Sequence, residues 1–121
     1  MILGIGTDIV EISRIKSSVE KWGDTFLKRI FSPDEIAYCS QNKNPYPCFA
    51  GRFAAKESVI KAFGGLSKLG GLRDIEILNE PSGRPYVRLS SPLDSGLMIH
   101  LSVSHEKGHA IASAVLERKS S

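Results

Sequence analysis

The residues best suited to chemistry lie in the segment 53–64, whose sequence predicts a helix. On a helix, Glu57 and Lys61 are one turn apart and share a face. Ala50 and Ala54 fall on the same face, and their small side chains leave room for a ligand beside a carboxylate and an ammonium group. The alternative is an exposed Glu-to-Lys pair, which stabilises a helix by about 0.2–0.5 kcal/mol.

Asp8 has two interpretations. It precedes Glu11 by the spacing of a capping box, so it could cap a following helix. It could also meet Glu57 if the long helix crosses the strand that carries Asp8. Two carboxylates, with water and phosphate oxygens, make a magnesium site, because this hard ion prefers oxygen ligands and keeps several waters.

Lys56 interrupts an apolar stripe on the same predicted helix. An unpaired buried ammonium group is costly, so the side chain must snorkel to the surface or reach a phosphate or a carboxylate. The stripe is formed by Phe49, Phe53, Ile60 and Phe63.

The histidines of the chain do not have the spacing of a zinc motif. They are His100, His105 and His109. His105 follows the apolar face of a predicted strand and then meets a turn. It is either a core or turn histidine with its hydrogen bonds satisfied, or a functional residue.

The element that carries Asp8 is a strand predicted over residues 2–9 by the alternation of its side chains. Gly4 and Gly6 point to the same side as Asp8. Two glycines on one face allow another backbone or a ligand to come close.

A helix is predicted over residues 12–31, with a break near Gly23. Arg14, Lys21 and Lys28 recur every seven residues on roughly the side opposite the buried stripe. That stripe is expected to contain Ile12, Ile15, Val19, Trp22, Phe26 and Ile30.

Two further helices have clear boundaries. Ser32 followed by Pro33, with Glu35 at the spacing of a capping box, predicts a helix start, and that helix is expected to end at about Ser40. The clearest helix covers 48–63 and ends at a glycine-rich loop, 64–71.

The C-terminal half reads as strands, of which the last two form a hairpin. They are predicted over 72–78, 85–90, 97–104 and 109–116. One strand, then helices, then a run of strands indicates a single α+β domain over residues 1–121, with an antiparallel sheet packed against the long helix.

The composition excludes a disordered chain, since 41% of the residues are hydrophobic and 24% are charged. The net charge of +3 suits an acidic partner or a phosphorylated ligand. Cys39 and Cys48 are too few for a secreted disulfide framework, so we expect two reduced thiols in a cytoplasmic protein. The N-terminus lacks the features of a signal peptide, and no apolar run approaches the roughly 18 residues that span a bilayer.

Three motifs in this order resemble the holo-acyl-carrier-protein synthases, the short bacterial branch of the phosphopantetheinyl transferases. The first is GIGTDIVE at residues 4–11, the second is GRFAAKE at 51–57 followed by KAFG at 61–64, and the third is SVSH at 102–105. The resemblance covers nearly the whole chain. The middle motif joined to the N-terminal Asp8 is highly specific.

The resemblance implies a trimer that binds coenzyme A between subunits. It implies that Asp8 and Glu57 hold Mg²⁺ and that Lys61 lies near the transferred diphosphate. It also implies that Arg52 and His105 belong to the coenzyme A site across a subunit interface.

Other residues are carried over with less specific roles. Lys56 and Gly64 are further candidates for the coenzyme A site. The first helix of the family docks the acidic recognition helix of the carrier protein. Arg14 matches a docking position, and Lys21 and Lys28 stand where other members often have Arg.

The implied reaction moves 4′-phosphopantetheine from coenzyme A to a serine of apo-acyl carrier protein, in fatty acid biosynthesis, and releases adenosine 3′,5′-bisphosphate. Asp8, Glu57 and Lys61 are the expected catalytic residues, with Glu57 or a metal-bound water taking the serine proton.

The alternative is a small basic nucleic-acid-binding module, which the positive charge favours. The chain lacks interleaved exposed aromatic and basic residues and any recognisable reader motif. We therefore expect no nucleic-acid partner and no membrane association. A steep salt dependence of binding to random DNA would identify a nucleic-acid binder.

Overall fold

The computed structural model describes residues 1–65 and 69–120 and has the predicted α+β class. Its helices are α1 (Ile12–Trp22), α2 (Asp24–Ile30), α3 (Pro33–Ser40) and α4 (Tyr46–Ala62). Its strands are β1 (Ile2–Glu11), β2 (Ile75–Asn79), β3 (Pro85–Leu89), β4 (Leu97–His105) and β5 (His109–Arg118).

The strands form two antiparallel sheets rather than one. A three-stranded sheet has the order β1–β5–β4, and β2 pairs with β3 in a separate ribbon. The predicted hairpin of β4 and β5 is confirmed. Residues Leu72–Asp74, predicted as strand, form a 3₁₀ turn instead. The loop predicted over 64–71 lies in part outside the described residues.

Helix α4 crosses the inner face of β1 at the two glycines. A Cβ atom built on Gly4 would lie 1.9 Å from the carbonyl oxygen of Ala62, and one built on Gly6 would lie 1.9 Å from that of Ser58. The expected close approach of a backbone is therefore confirmed, and β1 and α4 meet main chain to main chain.

The core surrounds α4 on more than one side. Ala50 and Ala54 have no exposed surface, whereas Phe53 is only half-buried. The expectation that these two alanines leave room for a ligand is wrong, because neighbouring elements already fill the space beside them. An apolar stripe identified only from large side chains misses such a face.

The predicted break at Gly23 is confirmed, and the residue has a φ angle of +55°. It ends α1 directly after Trp22, whose side chain is 58% exposed rather than buried. Lys28 lies on α2, so it does not continue one stripe with Arg14 and Lys21. The seven-residue spacing does not define a common face across this change of direction.

The start of α3 follows the predicted pattern. The Ser32 hydroxyl accepts a hydrogen bond from the Glu35 backbone amide, and the Glu35 carboxylate accepts one from the Ser32 amide. The two thiols predicted to be reduced are joined instead, because Cys39 near the end of α3 lies against Cys48 in the first turn of α4, with 5.4 Å between the Cα atoms.

No helix among the described residues is both long enough and apolar enough to cross a membrane.

Candidate functional site

One cavity, which we call the carboxylate cavity, has a volume of about 500 Å³ and lies where β1, α1 and α4 meet. Asp8, Glu11, Arg14, Glu57 and His109 contribute the charged and titratable side chains of its wall. The strand face and the helix face that carry Asp8 and Glu57 therefore converge, as the metal-site interpretation requires.

Asp8 lies on the inner face of β1, and its side chain is 18% exposed. Its Oδ1 accepts a hydrogen bond from Lys61 Nζ at 3.1 Å. It does not cap a helix, because Glu11 occupies the N-cap of α1 and makes no side-chain cap bond. The capping interpretation of Asp8 is wrong.

Glu57 lies on the side of α4 that faces the carboxylate cavity. Burial and the neighbouring negative charge of Asp8 raise the pKa of Glu57 above its ordinary value, while Lys61 acts in the opposite direction. A bound cation would favour the charged form of Glu57 at this position.

Lys61 does not form the alternative ion pair with Glu57 among the described residues. Its ammonium group donates to Asp8 and, at 3.0 Å, to the carbonyl oxygen of Thr7. The side chain is 52% exposed, so it is accessible to an anionic ligand that binds beside Asp8.

The donor set fits a hard divalent cation such as Mg²⁺. Within residues 1–65 and 69–120, no three His, Cys, Asp or Glu side chains are grouped to hold a metal on their own. Asp8 and Glu57 supply two oxygen ligands, and Mg²⁺ commonly completes such a pair with water and phosphate oxygens.

Lys56 is not available to coenzyme A, and this corrects its assignment to the cofactor site. Its side chain has no exposed surface, and its ammonium group donates to Glu35 at 2.7 Å, to the Leu72 carbonyl at 2.9 Å and to the Ile75 carbonyl at 2.6 Å. All three of its donors are used. Of the options open on the sequence, it takes the carboxylate partner.

A second cavity of about 430 Å³, the guanidinium cavity, is lined by Arg52 and His105. Arg52 is 8% exposed, and burial lowers its pKa. Its Nη2 donates to Asn79 Oδ1, and its Cζ lies 4.4 Å from the centre of the Tyr38 ring. His105 is exposed at the end of β4, so it is not a core histidine.

The two cavities use different parts of α4: Arg52 and residues before it line the guanidinium cavity, and Phe53 and Glu57 line the carboxylate cavity. Arg52 and Lys61 are nine positions apart, which is about 13 Å along a helix. Gly64 follows the Lys61 end, with a φ angle of +80° and its amide donating to the Lys61 carbonyl. It lies just beyond the end of α4, twelve positions after Arg52.

The residues predicted for carrier docking are all exposed. Arg14 also lines the carboxylate cavity, which places a cation of α1 beside the candidate catalytic residues. Lys21 lies with its Nζ 5.0 Å from the centre of the Trp22 ring. Lys28 is separate from both on α2.

Sequence reasoning missed three residues of the guanidinium cavity and its surroundings. Glu35 was recognised only through its capping box, although it also binds Lys56 and accepts from the Ile77 amide. Tyr38 and Asn79 carried no signal, because their contacts with Arg52 join segments that are distant in sequence.

Comparison with known proteins agrees with this geometry. The family model of the 4′-phosphopantetheinyl transferase superfamily matches residues 4–115. The holo-[acyl-carrier-protein] synthase of Halothermothrix orenii is 46% identical to this chain and covers 97% of it, and 98% of that protein is covered in turn.

Solved structures give the same result. The holo-[acyl-carrier-protein] synthase of Neisseria meningitidis has a TM-score of 0.87 and 36% identity, with 98% of this chain and 100% of that chain covered. The Bacillus anthracis synthase, solved in complex with CoA (3′,5′-ADP), has a TM-score of 0.83 and 37% identity, with 99% of each chain covered. The chain therefore belongs to the 4′-phosphopantetheinyl transferase superfamily, in the group of the holo-[acyl-carrier-protein] synthases.

Proposed function

We propose that this chain, as one domain over residues 1–121, transfers 4′-phosphopantetheine from coenzyme A to a serine of apo-acyl carrier protein, in fatty acid biosynthesis. The observation that carries the proposal is that Asp8 and Glu57 line one cavity and that Lys61 donates to Asp8, in a chain from this family. The guanidinium cavity supplies a second cationic site, and coenzyme A carries phosphates at two places along its length.

The chemistry assigns a role to each residue. The serine hydroxyl oxygen bonds to the β-phosphorus of coenzyme A, and the bond to the bridging oxygen of adenosine 3′,5′-bisphosphate breaks. Glu57 accepts the serine proton, directly or through water, and its raised pKa suits that role. Lys61 offsets the negative charge that develops on the leaving group.

Asp8 and Glu57 would hold Mg²⁺, which neutralises charge on the diphosphate when it is bound. Without that ion, the two carboxylates would repel the diphosphate. Gly64 lies at the same end of α4, where its main chain can approach the phosphates.

We also propose that the chain acts as a homotrimer. The outer face of the three-stranded sheet exposes Ile5 by 66%, Ile9 by 64% and Ile111 by 41%. The surface of the chain is 7268 Å², against about 6,400 Å² expected for a monomer of this mass. A small cavity on this face includes Ile9 and His105, so a neighbouring subunit seated there would lie beside His105.

The direct test of the function is a mass measurement. Apo-carrier and coenzyme A are incubated with the chain, with and without Mg²⁺, and the mass of the carrier is measured by mass spectrometry. We expect a gain of one phosphopantetheine only when metal is present. No gain with several bacterial carriers would overturn the proposed function.

The variant Asp8→Ala tests whether Asp8 is needed for metal binding rather than for folding. We expect it to abolish transfer and to remove the rise in unfolding temperature that Mg²⁺ produces in the unmodified chain. Its circular dichroism spectrum should be unchanged. If Asp8→Ala still responds to Mg²⁺, the carboxylate cavity is not the metal site.

Sedimentation tests the assembly. The trimer predicts about three times the chain mass of 13.2 kDa. An active and stable monomer would contradict the proposal, and Ile5→Lys, which places a charge on the exposed face, should weaken association.

Family membership disfavours the nucleic-acid-binding alternative. The cytoplasmic location stays a prediction, and the Cys39–Cys48 bond removes one argument for it, since disulfides are rare in reducing compartments.

A further inference from the structure

The guanidinium of Arg52 is held by two neighbours that no motif identified. The ring of Tyr38 covers one face, with 4.4 Å between the ring centre and Cζ. The side-chain oxygen of Asn79 accepts a hydrogen bond from Nη2. Asn79 is itself fixed, because its Nδ2 donates to the Gly83 carbonyl at 2.8 Å in the turn between β2 and β3.

Arg52 has no carboxylate partner within 4.0 Å in the part of the chain that the structure describes. Glu35 is a nearby negative charge, but its carboxylate binds Lys56 and the amides of Ser32 and Ile77. The described wall of the guanidinium cavity contains no Asp or Glu. The cavity therefore presents a fixed cation to a ligand.

The surroundings of Arg52 also leave it incompletely satisfied. Its Nε is buried and has no hydrogen-bond partner among the described residues. A flexible arginine would turn this donor toward water. The stack on Tyr38 and the bond to Asn79 hold the guanidinium in place despite the cost of the unpaired donor.

We propose that Tyr38 and Asn79 are positioning residues that orient Arg52 toward the 3′-phosphate of coenzyme A and so select this donor over dephospho-coenzyme A. The inference rests on the proposed function for the identity of the ligand. Neither residue lines the carboxylate cavity, where the proposed transfer takes place.

The test compares coenzyme A with dephospho-coenzyme A, which lacks only the 3′-phosphate. A cation over an aromatic ring contributes about 0.5–2 kcal/mol, so Tyr38→Leu should raise the Michaelis constant for coenzyme A roughly 2- to 30-fold. The constant for dephospho-coenzyme A should stay unchanged. Tyr38→Phe keeps the ring and should behave like the unmodified chain.

A matched control is available elsewhere on α4. Lys16 lies 5.7 Å from the centre of the Tyr46 ring, a cation–aromatic contact outside the wall of the guanidinium cavity. Tyr46→Leu should leave the preference between the two donors unchanged.

Asn79→Asp is a second test variant. It keeps the shape of the side chain but adds a negative charge beside Arg52, so it should also lower the preference for coenzyme A.

A binding measurement makes the test independent of catalysis. We would measure the binding of adenosine 3′,5′-bisphosphate and of adenosine 5′-monophosphate by calorimetry. Tyr38→Leu should weaken the binding of the bisphosphate only. The inference is overturned if the variant binds both ligands more weakly to the same extent, or if it binds both as tightly as the unmodified chain does. If the unmodified chain prefers the bisphosphate but transfers nothing, the proposed function fails and the positioning role stands.

Discussion

Two lysines five positions apart on α4 have opposite environments. Lys56 is completely buried and donates to Glu35 and to two main-chain carbonyls. Lys61 is half exposed and donates to Asp8 and to one main-chain carbonyl. Both belong to the motif by which the family is recognised, and sequence reasoning assigned both to the active site.

The comparison shows that burial decides which of two similar ion pairs is available for function. A buried ammonium group needs every donor satisfied, and losing a partner inside the protein is costly. The Lys56–Glu35 pair is thus part of the fold, joining α3, α4 and β2. The exposed Lys61–Asp8 pair is weaker. Asp8 could therefore release Lys61 to bind a metal ion, and Lys61 could then bind a phosphate.

The largest effect is expected from breaking the buried pair. Lys56→Met leaves the Glu35 carboxylate buried without its cation, and we expect a loss of about 3–5 kcal/mol in the free energy of unfolding. Urea denaturation followed by circular dichroism measures it. The double variant Lys56→Met with Glu35→Leu should recover most of the loss, because it removes both charges. A loss below about 1 kcal/mol in the single variant would contradict the distinction between the two pairs.

The matched change on the exposed side should affect catalysis instead. Lys61→Met should lower kcat roughly 10²- to 10³-fold, as expected when one group that stabilises a transition-state charge is removed. The free energy of unfolding should change by less than about 1 kcal/mol. If the same denaturation experiment shows a large loss of stability with little loss of activity, the roles of the two lysines have been assigned the wrong way round.

The smallest effect is expected from Arg14, an exposed cation next to the carboxylate cavity. Single exposed ion pairs contribute about 0.2–1 kcal/mol, and reversing the charge adds repulsion, so Arg14→Glu should raise the Michaelis constant for the carrier roughly 5-fold or more. The reaction should become less sensitive to salt, and the Michaelis constant for coenzyme A should rise less than that for the carrier. Unchanged carrier kinetics at low ionic strength would show that α1 is not the docking surface.

Local signals predicted much of this molecule. The capping box at Ser32, the break at Gly23 and the glycine face of β1 depend on neighbours in sequence or on backbone geometry, and all three were confirmed. The family motifs led to Asp8 and Glu57, which do line one cavity.

The remaining errors concern partners that are distant in sequence. Nothing in a helical pattern shows that Lys56 will meet Glu35, 21 positions earlier, or that Cys39 will meet Cys48. Trp22 was expected to be buried because one helix was assumed to continue. The break of the helix at Gly23 was predicted. Its effect on the apolar stripe, which leaves Trp22 exposed, was not.

The contact of Gly4 and Gly6 with α4 has a consequence for which metal ion the proposed site could accept. The strand that carries Asp8 and the helix that carries Glu57 touch through their main chains, so no side chain between them can be trimmed or enlarged to adjust the gap. A methyl group at either glycine would instead push the two elements apart. Tuning the proposed site for a larger ion, such as Ca²⁺, would thus have to begin with the lengths of the acidic side chains themselves. Glu57→Asp, for example, would leave more room between the carboxylates while the spacing of the backbones stays the same.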